Sequence, residues 1–106
     1  MNNFGFSEAD LEQMIEIFSG FEDIEKAVLF GSRAKGNFKN GSDIDIVLFG
    51  PELKYETVLS VSFMLNEECD LPYHFDIVDN NTIENDELKA HIQRVGKVIY
   101  SKFTDS

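Results

Sequence analysis

The pattern that limits most strongly how this 106-residue chain can fold lies in residues 43–49. One set of alternating positions is entirely apolar: Ile44, Ile46 and Leu48. The other set is Asp43, Asp45, Val47 and Phe49. Because successive side chains of a β-strand point to opposite faces, the segment predicts a strand with one apolar face and two carboxylates on the other.

The other segments alternate between helical and strand periodicity. In chain order, the first predicted elements are a helix capped by Ser7 and Asp10 and ending at Gly20, a strand over 24–30, a turn-rich stretch over 31–42 and the strand over 43–49. A helix over 52–66 follows, for which Pro51 fits the first helical position. The remaining predicted elements are a strand over 73–78, a turn over 79–81, a helix closed by Gly96 and a strand over 97–101. The apolar side of the helix over 52–66 is expected to comprise Tyr55, Val58, Val61, Ser62 and Leu65. This order predicts an α+β fold, a mixed sheet flanked by helices, in a single domain over residues 1–106.

Composition excludes several classes of function. Twenty acidic residues against nine Lys and Arg give a net charge of −11, the opposite of a nucleic-acid-binding surface, so we expect no direct nucleic-acid partner. The longest apolar runs are four residues, which predicts no membrane span, and residues 1–25 lack a secretory pattern. We therefore expect a cytoplasmic protein. The single cysteine, Cys69, is interpreted as a packing residue.

The spacing of Asp43 and Asp45 suggests metal chemistry. Two residues apart on a strand, their backbones are about 7 Å from each other on the same face. The alternation in the strand over 73–78 adds Asp76, a third carboxylate, from a neighbouring strand. Carboxylate oxygens are the ligands that Mg²⁺ prefers, and crowded like charges are unfavourable without a cation. The alternative is that the aspartates are solvated charges at a strand edge.

Residues 31–41 have the features of an anion-binding loop. Gly31 allows close approach of its backbone, Ser32 adds a hydroxyl donor, and the window from Arg33 to Gly41 holds three cations and no acid. The alternative is a tight turn followed by solvated charges. Neither a Walker-type phosphate loop nor an EF-hand fits, because Asn37 and Phe38 stand where the first needs Lys and Ser or Thr, and Lys54 stands where the second needs Glu.

Gly31-Ser32, ten intervening residues and then Asp43-Ile44-Asp45 resemble the signature of the polymerase-beta-like nucleotidyltransferases. The stretch GSRAKGNFKNGSDIDIVLFG is especially similar to their minimal bacterial subgroup, the MNT antitoxins. The resemblance implies the nucleotidyltransferase fold over nearly the whole chain. It also implies Mg²⁺-dependent transfer of a nucleoside monophosphate, AMP from ATP or the equivalent group of another nucleotide, to an acceptor hydroxyl.

The resemblance also implies a role for each matched residue. Gly31 and Ser32 would hold the triphosphate, and Asp43 and Asp45 would bind Mg²⁺, with two ions expected. Asp76 matches the third carboxylate, which contacts metal and helps to deprotonate the attacking hydroxyl. Two roles are open for Arg33: its guanidinium contacts phosphate, or it ties the loop to a neighbouring residue.

A partner protein is expected, because a domain of this size leaves little room to enclose an acceptor. The resemblance implies a helical HEPN-type toxin, with this chain as its antitoxin in a hetero-oligomer. Phe38 and the segment 98–103 are candidate apolar contacts with it. His74 and His91 are interpreted as packing or surface residues. The alternative function is a non-catalytic antitoxin-type module that neutralises a basic ribonuclease by binding it.

Overall fold

The computed structural model describes residues 4–36, 39 and 41–103. Its elements are α1 (Glu8–Ser19), β1 (Lys26–Phe30), α2 (Gly31–Lys35), β2 (Ile44–Phe49), α3 (Tyr55–Phe63), a π-helical turn (Met64–Glu68), β3 (Phe75–Asp79), a 3-10 turn (Asn80–Thr82), α4 (Asp86–Val95) and β4 (Lys97–Ser101). The strands form a sheet in the order β3–β2–β1–β4. β3 is parallel to β2, whereas β1 is antiparallel to both β2 and β4, so the expected mixed sheet is confirmed.

Helices cover the sheet on both faces. The larger apolar cluster joins α1, α3 and the π-helical turn to one face of the strands, and it contains Met14, Phe18, Val61 and Leu65. The alternating residues Ile44, Ile46 and Leu48 are fully buried in this cluster. On the opposite face, Val28, Phe30 and Val47 pack with Ile92 of α4. Because side chains alternate along a strand, Asp43 and Asp45 lie on the same side of the sheet as Val47, which is this second face.

Local sequence signals set the limits of several elements correctly. The Ser7 hydroxyl accepts a hydrogen bond from the Asp10 amide at 3.0 Å, and the Asp10 carboxylate accepts one from the Ser7 amide at 3.4 Å. This capping box starts α1 as predicted. β4 also has its predicted limits, and α4 ends before Gly96 as expected.

The helix predicted over 52–66 is wrong at both ends. α3 begins at Tyr55, and Pro51 lies in a preceding turn instead of at the first helical position. The Asp23 carboxylate determines this start, because it accepts hydrogen bonds from the Lys54 amide at 3.0 Å and from the Thr57 hydroxyl at 2.6 Å. After Phe63 the helix widens into the π-helical turn.

The predicted apolar side of this helix is also only partly correct. Val61 and Leu65 are buried, but Tyr55 is 72% exposed, and Thr57 occupies a buried position instead. The strand predicted over 73–78 is shifted to Phe75–Asp79. In the part of the chain that the structure describes, no helix is long and apolar enough to cross a membrane.

Candidate active site

The strand register brings the predicted site residues to one end of the sheet. Phe30, the last residue of β1, pairs with Asp45 of β2, and Asp45 pairs with Asp76 of β3. Asp45 and Asp76 are therefore direct neighbours on parallel strands, about 4.8 Å apart at the backbone. Asp45 is half-buried, whereas Asp43 and Asp76 are exposed.

Gly31 continues from Phe30 directly against Asp45. Its φ of +79° lies in the region that favours glycine, and a Cβ at this position would collide with the Asp45 carboxylate. Gly31 and Ser32 are the first residues of the short helix α2, not a simple turn. Because residue 31 has no side chain, its backbone can lie directly against the Asp45 carboxylate.

The electrostatics of the site centre on Asp45. Burial raises the pKa of the Asp45 carboxyl, and the nearby charges of Asp76 and Asp43 raise it further, while His74 acts in the opposite direction. The ionised form of Asp45 is therefore disfavoured in the folded chain. A cation beside Asp45 would offset both the cost of burying its negative charge and the repulsion from Asp76 and Asp43.

Arg33 is buried, with 3% of its surface exposed. Its Nε and Nη2 groups donate to the Ser42 carbonyl at 3.2 and 2.8 Å, and Nη1 donates to the Phe4 carbonyl at 2.7 Å. The guanidinium also lies 5.3 Å from the centre of the Tyr73 ring. These contacts fix the residue before Asp43, which favours the interpretation of Arg33 as a residue that holds the loop.

The donor chemistry of the site fits Mg²⁺. Among the described residues, no group of three or more His, Cys, Asp or Glu side chains is assembled to hold a metal ion. Magnesium in proteins is commonly bound through one or two carboxylates together with waters and substrate phosphates. Adjacent carboxylates whose repulsion raises the pKa of Asp45 meet that requirement without a closed protein cage.

Residues 12–105 match the family described as Polymerase beta, Nucleotidyltransferase. The chain belongs to this nucleotidyltransferase family. The resemblance found in the sequence is thereby confirmed.

The nucleotidyltransferase chain shares its fold with solved toxin–antitoxin structures. A mutant of the MntA–HpeT toxin–antitoxin pair superposes with a TM-score of 0.71 at 19% identity, covering 88% of this chain and 74% of that one. A toxin–antitoxin structure with AMP-PNP gives 0.69 at 20% identity, covering 92% and 76%. A tri-AMPylated Shewanella oneidensis HEPN toxin in complex with its MNT antitoxin gives 0.67 at 18% identity, covering 90% and 72%.

A comparison with the curated proteins finds no match. The three solved structures, at 18–20% identity, show that the chain has the nucleotidyltransferase fold.

His91 of α4 contacts the start of α2, next to the candidate site. Its Nε2 accepts a hydrogen bond from the Gly31 amide at 3.1 Å, and its ring meets the Phe30 ring edge-on at 6.2 Å. The bond spans sixty residues of sequence, so no local signal reveals it. In this bond the Gly31 amide is the donor and His91 Nε2 is the acceptor.

The remaining residues singled out in the sequence are His74, Phe38 and Cys69. His74 is exposed beside Asp45, close enough to affect the pKa of that carboxyl. Phe38 lies outside the described residues. Burial, followed by the charges of Glu68 and Glu16, raises the pKa of the Cys69 thiol, which keeps it protonated and agrees with a packing role.

Proposed function

We propose that this nucleotidyltransferase moves AMP from ATP to a hydroxyl group on a HEPN-type toxin, for which it is the antitoxin. The register of Phe30, Asp45 and Asp76 is the observation that carries the proposal, because it sets the Gly31 backbone and two carboxylates side by side. Support comes from the family and from the shared fold with MNT antitoxins, one of them in complex with an AMPylated HEPN toxin.

The nucleotide-binding roles divide between two elements. Asp43, just before β2, and Asp45, within β2, hold Mg²⁺. Two Mg²⁺ ions are part of the proposal. Gly31 and Ser32, at the start of α2, contact the triphosphate. When bound, Mg²⁺ neutralises charge on the triphosphate and lowers the pKa of a nearby hydroxyl. Arg33 positions Ser42 and so holds Asp43 in reach of the nucleotide.

Asp76 is the proposed general base for transfer. The acceptor oxygen forms a bond to the α-phosphorus as the bond to pyrophosphate breaks, and Asp76 takes the proton that the hydroxyl loses. Asp76 is exposed, so an acceptor carried by another chain can approach it. It lies beside Asp45 and on the edge strand β3, which gives the acceptor a route that does not cross the nucleotide-binding elements.

The acceptor is proposed to belong to a partner for electrostatic and geometric reasons. A net charge of −11 attracts a basic surface and accelerates its encounter with this chain. The exposure of Asp43 and Asp76 leaves the reacting face open to a macromolecule. Because ATP is the proposed substrate, we expect the protein to act in the cytoplasm.

A second candidate function is the non-catalytic module that neutralises a basic ribonuclease by binding it. It is favoured by the acidic charge of the chain, which attracts a basic surface whether or not a group is transferred. In this function Asp43, Asp45 and Asp76 contribute only negative charge to the interface.

The intact mass of a co-purified HEPN chain, measured with and without Mg²⁺-ATP, separates the two functions. Transfer predicts a gain of one or more AMP groups, whereas a complex that gains no mass identifies the binding module. Asp76→Asn is expected to keep nucleotide affinity within about twofold while losing transfer by at least about a hundredfold. Asp86→Asn, on an exposed residue of α4 outside the site, is the matched control. Equal losses of binding and transfer in Asp76→Asn would contradict its role as the base.

A further inference from the structure

α3 carries a line of large apolar side chains that face solvent. Tyr55, Leu59 and Phe63 are 72%, 51% and 55% exposed, and their spacing of four residues sets them in a row. We call these three residues the α3 ridge. Isolated exposed apolar residues are ordinary, but an aligned set of this size is typical of an interaction surface.

Grooves lie on both sides of the α3 ridge. The larger, of about 730 Å³, runs between Leu59 and Phe63 and the segment Leu71–His74. The smaller, of about 420 Å³, lies toward Phe21 and Met64 and is lined by the same two ridge residues. A ridge between two grooves is the surface that a second helix packs against.

The neighbouring sheet edge is less suited to an added strand. Asn66 donates to the Phe75 carbonyl at 3.0 Å and accepts from the Phe75 amide at 2.8 Å. These bonds occupy the outward hydrogen-bonding groups with which β3 begins. The surface therefore favours a helix over an extended peptide.

The charge around the α3 ridge selects a basic partner. Residues 55–74 contain Glu56, Glu67, Glu68 and Asp70 and no Lys or Arg. Glu67 lines the larger groove and Glu68 the smaller one. A second copy of this chain would bring the same acids and be repelled, whereas a helix with Lys or Arg beside its apolar face is complementary.

The larger groove also leads to the candidate active site. It ends at His74, the residue before β3, and α3 packs on the face of β3 that carries Phe75 and Ile77, opposite to the face that carries Asp76. Among the described residues, the other large apolar side chains that are exposed, Val98 and Phe103, lie at or just beyond β4, on the opposite edge of the sheet. A chain docked on the α3 ridge can thus reach Asp76 around the β3 edge of the sheet, whereas one docked along β4 must cross the sheet.

We propose that the α3 ridge and its two grooves bind a basic amphipathic helix of the acceptor protein. The inference rests on the proposed function and names the surface by which the acceptor docks. Apolar side chains of that helix fill the grooves beside Leu59 and Phe63. Its Lys or Arg residues pair with the acids at the rim.

The test compares two double variants, each removing two exposed apolar side chains. Leu59→Ser with Phe63→Ser is expected to weaken binding of the co-purified HEPN chain by at least about tenfold, because apolar anchors dominate interface affinity. Val98→Ser with Phe103→Ser, the matched control, is expected to change it by less than about twofold. Both should bind Mg²⁺-ATP like the unaltered chain. Glu67→Gln with Glu68→Gln should lower the association rate mainly at low salt.

Each other outcome overturns the inference in a distinct way. Undiminished affinity in the Leu59→Ser, Phe63→Ser variant removes the α3 ridge from the interface while leaving the proposed function intact. A loss confined to the control moves the interface to β4. If sedimentation shows that the chain alone dimerises through Leu59 and Phe63, the occupant is a second copy. If no HEPN chain co-purifies with the unaltered protein, the proposed partner and this docking surface both fail.

Discussion

At the residue scale, Asp45 combines the structural and functional demands on this chain. Burial and two neighbouring carboxylates raise its pKa, so in the absence of a cation its ionised form costs the folded state free energy. The folded chain binds that proton more tightly than the unfolded chain does. The free energy of unfolding therefore falls as pH rises from the ordinary value of 3.8 through the folded pKa.

Asp45→Asn is expected to stabilise the metal-free protein by a few degrees in Tm at pH 7, because asparagine fits the site without a charge. The gain should shrink as the pH is lowered below 3.8, where Asp45 is protonated in both states. Thermal unfolding in the presence of a chelator measures it. Asp43→Asn, on an exposed neighbour, is the control and should shift the Tm less. A lower Tm for Asp45→Asn at pH 7 would contradict this account of the site.

Arg33 shows how far sequence reasoning reaches for one residue. A cation one residue after Gly31-Ser32 is compatible with a phosphate ligand or with a loop anchor, and the pattern cannot separate them. The anchor depends on the carbonyls of Phe4 and Ser42, and backbone carbonyls carry no sequence signature. The bond between His91 and the Gly31 amide has no sequence signature either, because every residue other than proline carries such an amide.

Arg33→Lys is expected to destabilise the fold by about 1–3 kcal/mol, because one ammonium group cannot reproduce the guanidinium bonds to Phe4 and Ser42. Chemical denaturation measures the loss. Lys35→Arg, on an exposed residue of α2, controls for a change of cation. Unchanged stability together with lost nucleotide binding would instead make Arg33 a phosphate ligand.

At the element scale, local patterns predicted those helices and strands whose ends depend on nearby residues. The capping box fixes α1, and simple alternation fixes β2. The errors occur where a distant group decides. Asp23, thirty-one residues before Lys54, sets the start of α3, and Asn66 binds the start of β3.

Asp23→Ala is expected to cost about 1–3 kcal/mol of stability at pH 7 by removing two hydrogen bonds at the α3 terminus. Burial alone would raise the pKa of Asp23, but bonds from Thr57 and Lys54 lower it overall. Its contribution is therefore present above pH 3.8 and is lost as pH falls through the lower folded pKa.

Denaturation curves at pH 7 and near pH 2.5 test this prediction. The difference between Asp23→Ala and the unaltered chain should narrow in acid. At pH 7 the stability of Asp23→Asn should lie between that of Asp23→Ala and that of the unaltered chain, because the asparagine amide keeps one acceptor oxygen. A difference that is independent of pH would show that the carboxylate charge contributes nothing to the α3 terminus.

At the scale of the whole molecule, the mixed sheet and the family followed from a short stretch of sequence. Gly31-Ser32 and Asp43-Ile44-Asp45 are required at fixed spacing by backbone contact and by strand alternation, so they are visible without a structure. The placement of Asp76 beside Asp45 needed the parallel pairing of β2 and β3, which no local pattern encodes. The α3 ridge stayed hidden because exposed and buried apolar residues look alike in sequence.

Asp43, Asp45 and Gly31 are proposed to form a binding site for a Mg²⁺-nucleotide. Calorimetric titration of the purified chain with ATP, in the presence and absence of Mg²⁺, tests for this site. We expect binding that requires Mg²⁺ and is lost in the Asp43→Asn, Asp45→Asn double variant, while the variant keeps the fold by circular dichroism. Binding of equal strength without Mg²⁺, or in the folded double variant, would contradict the account.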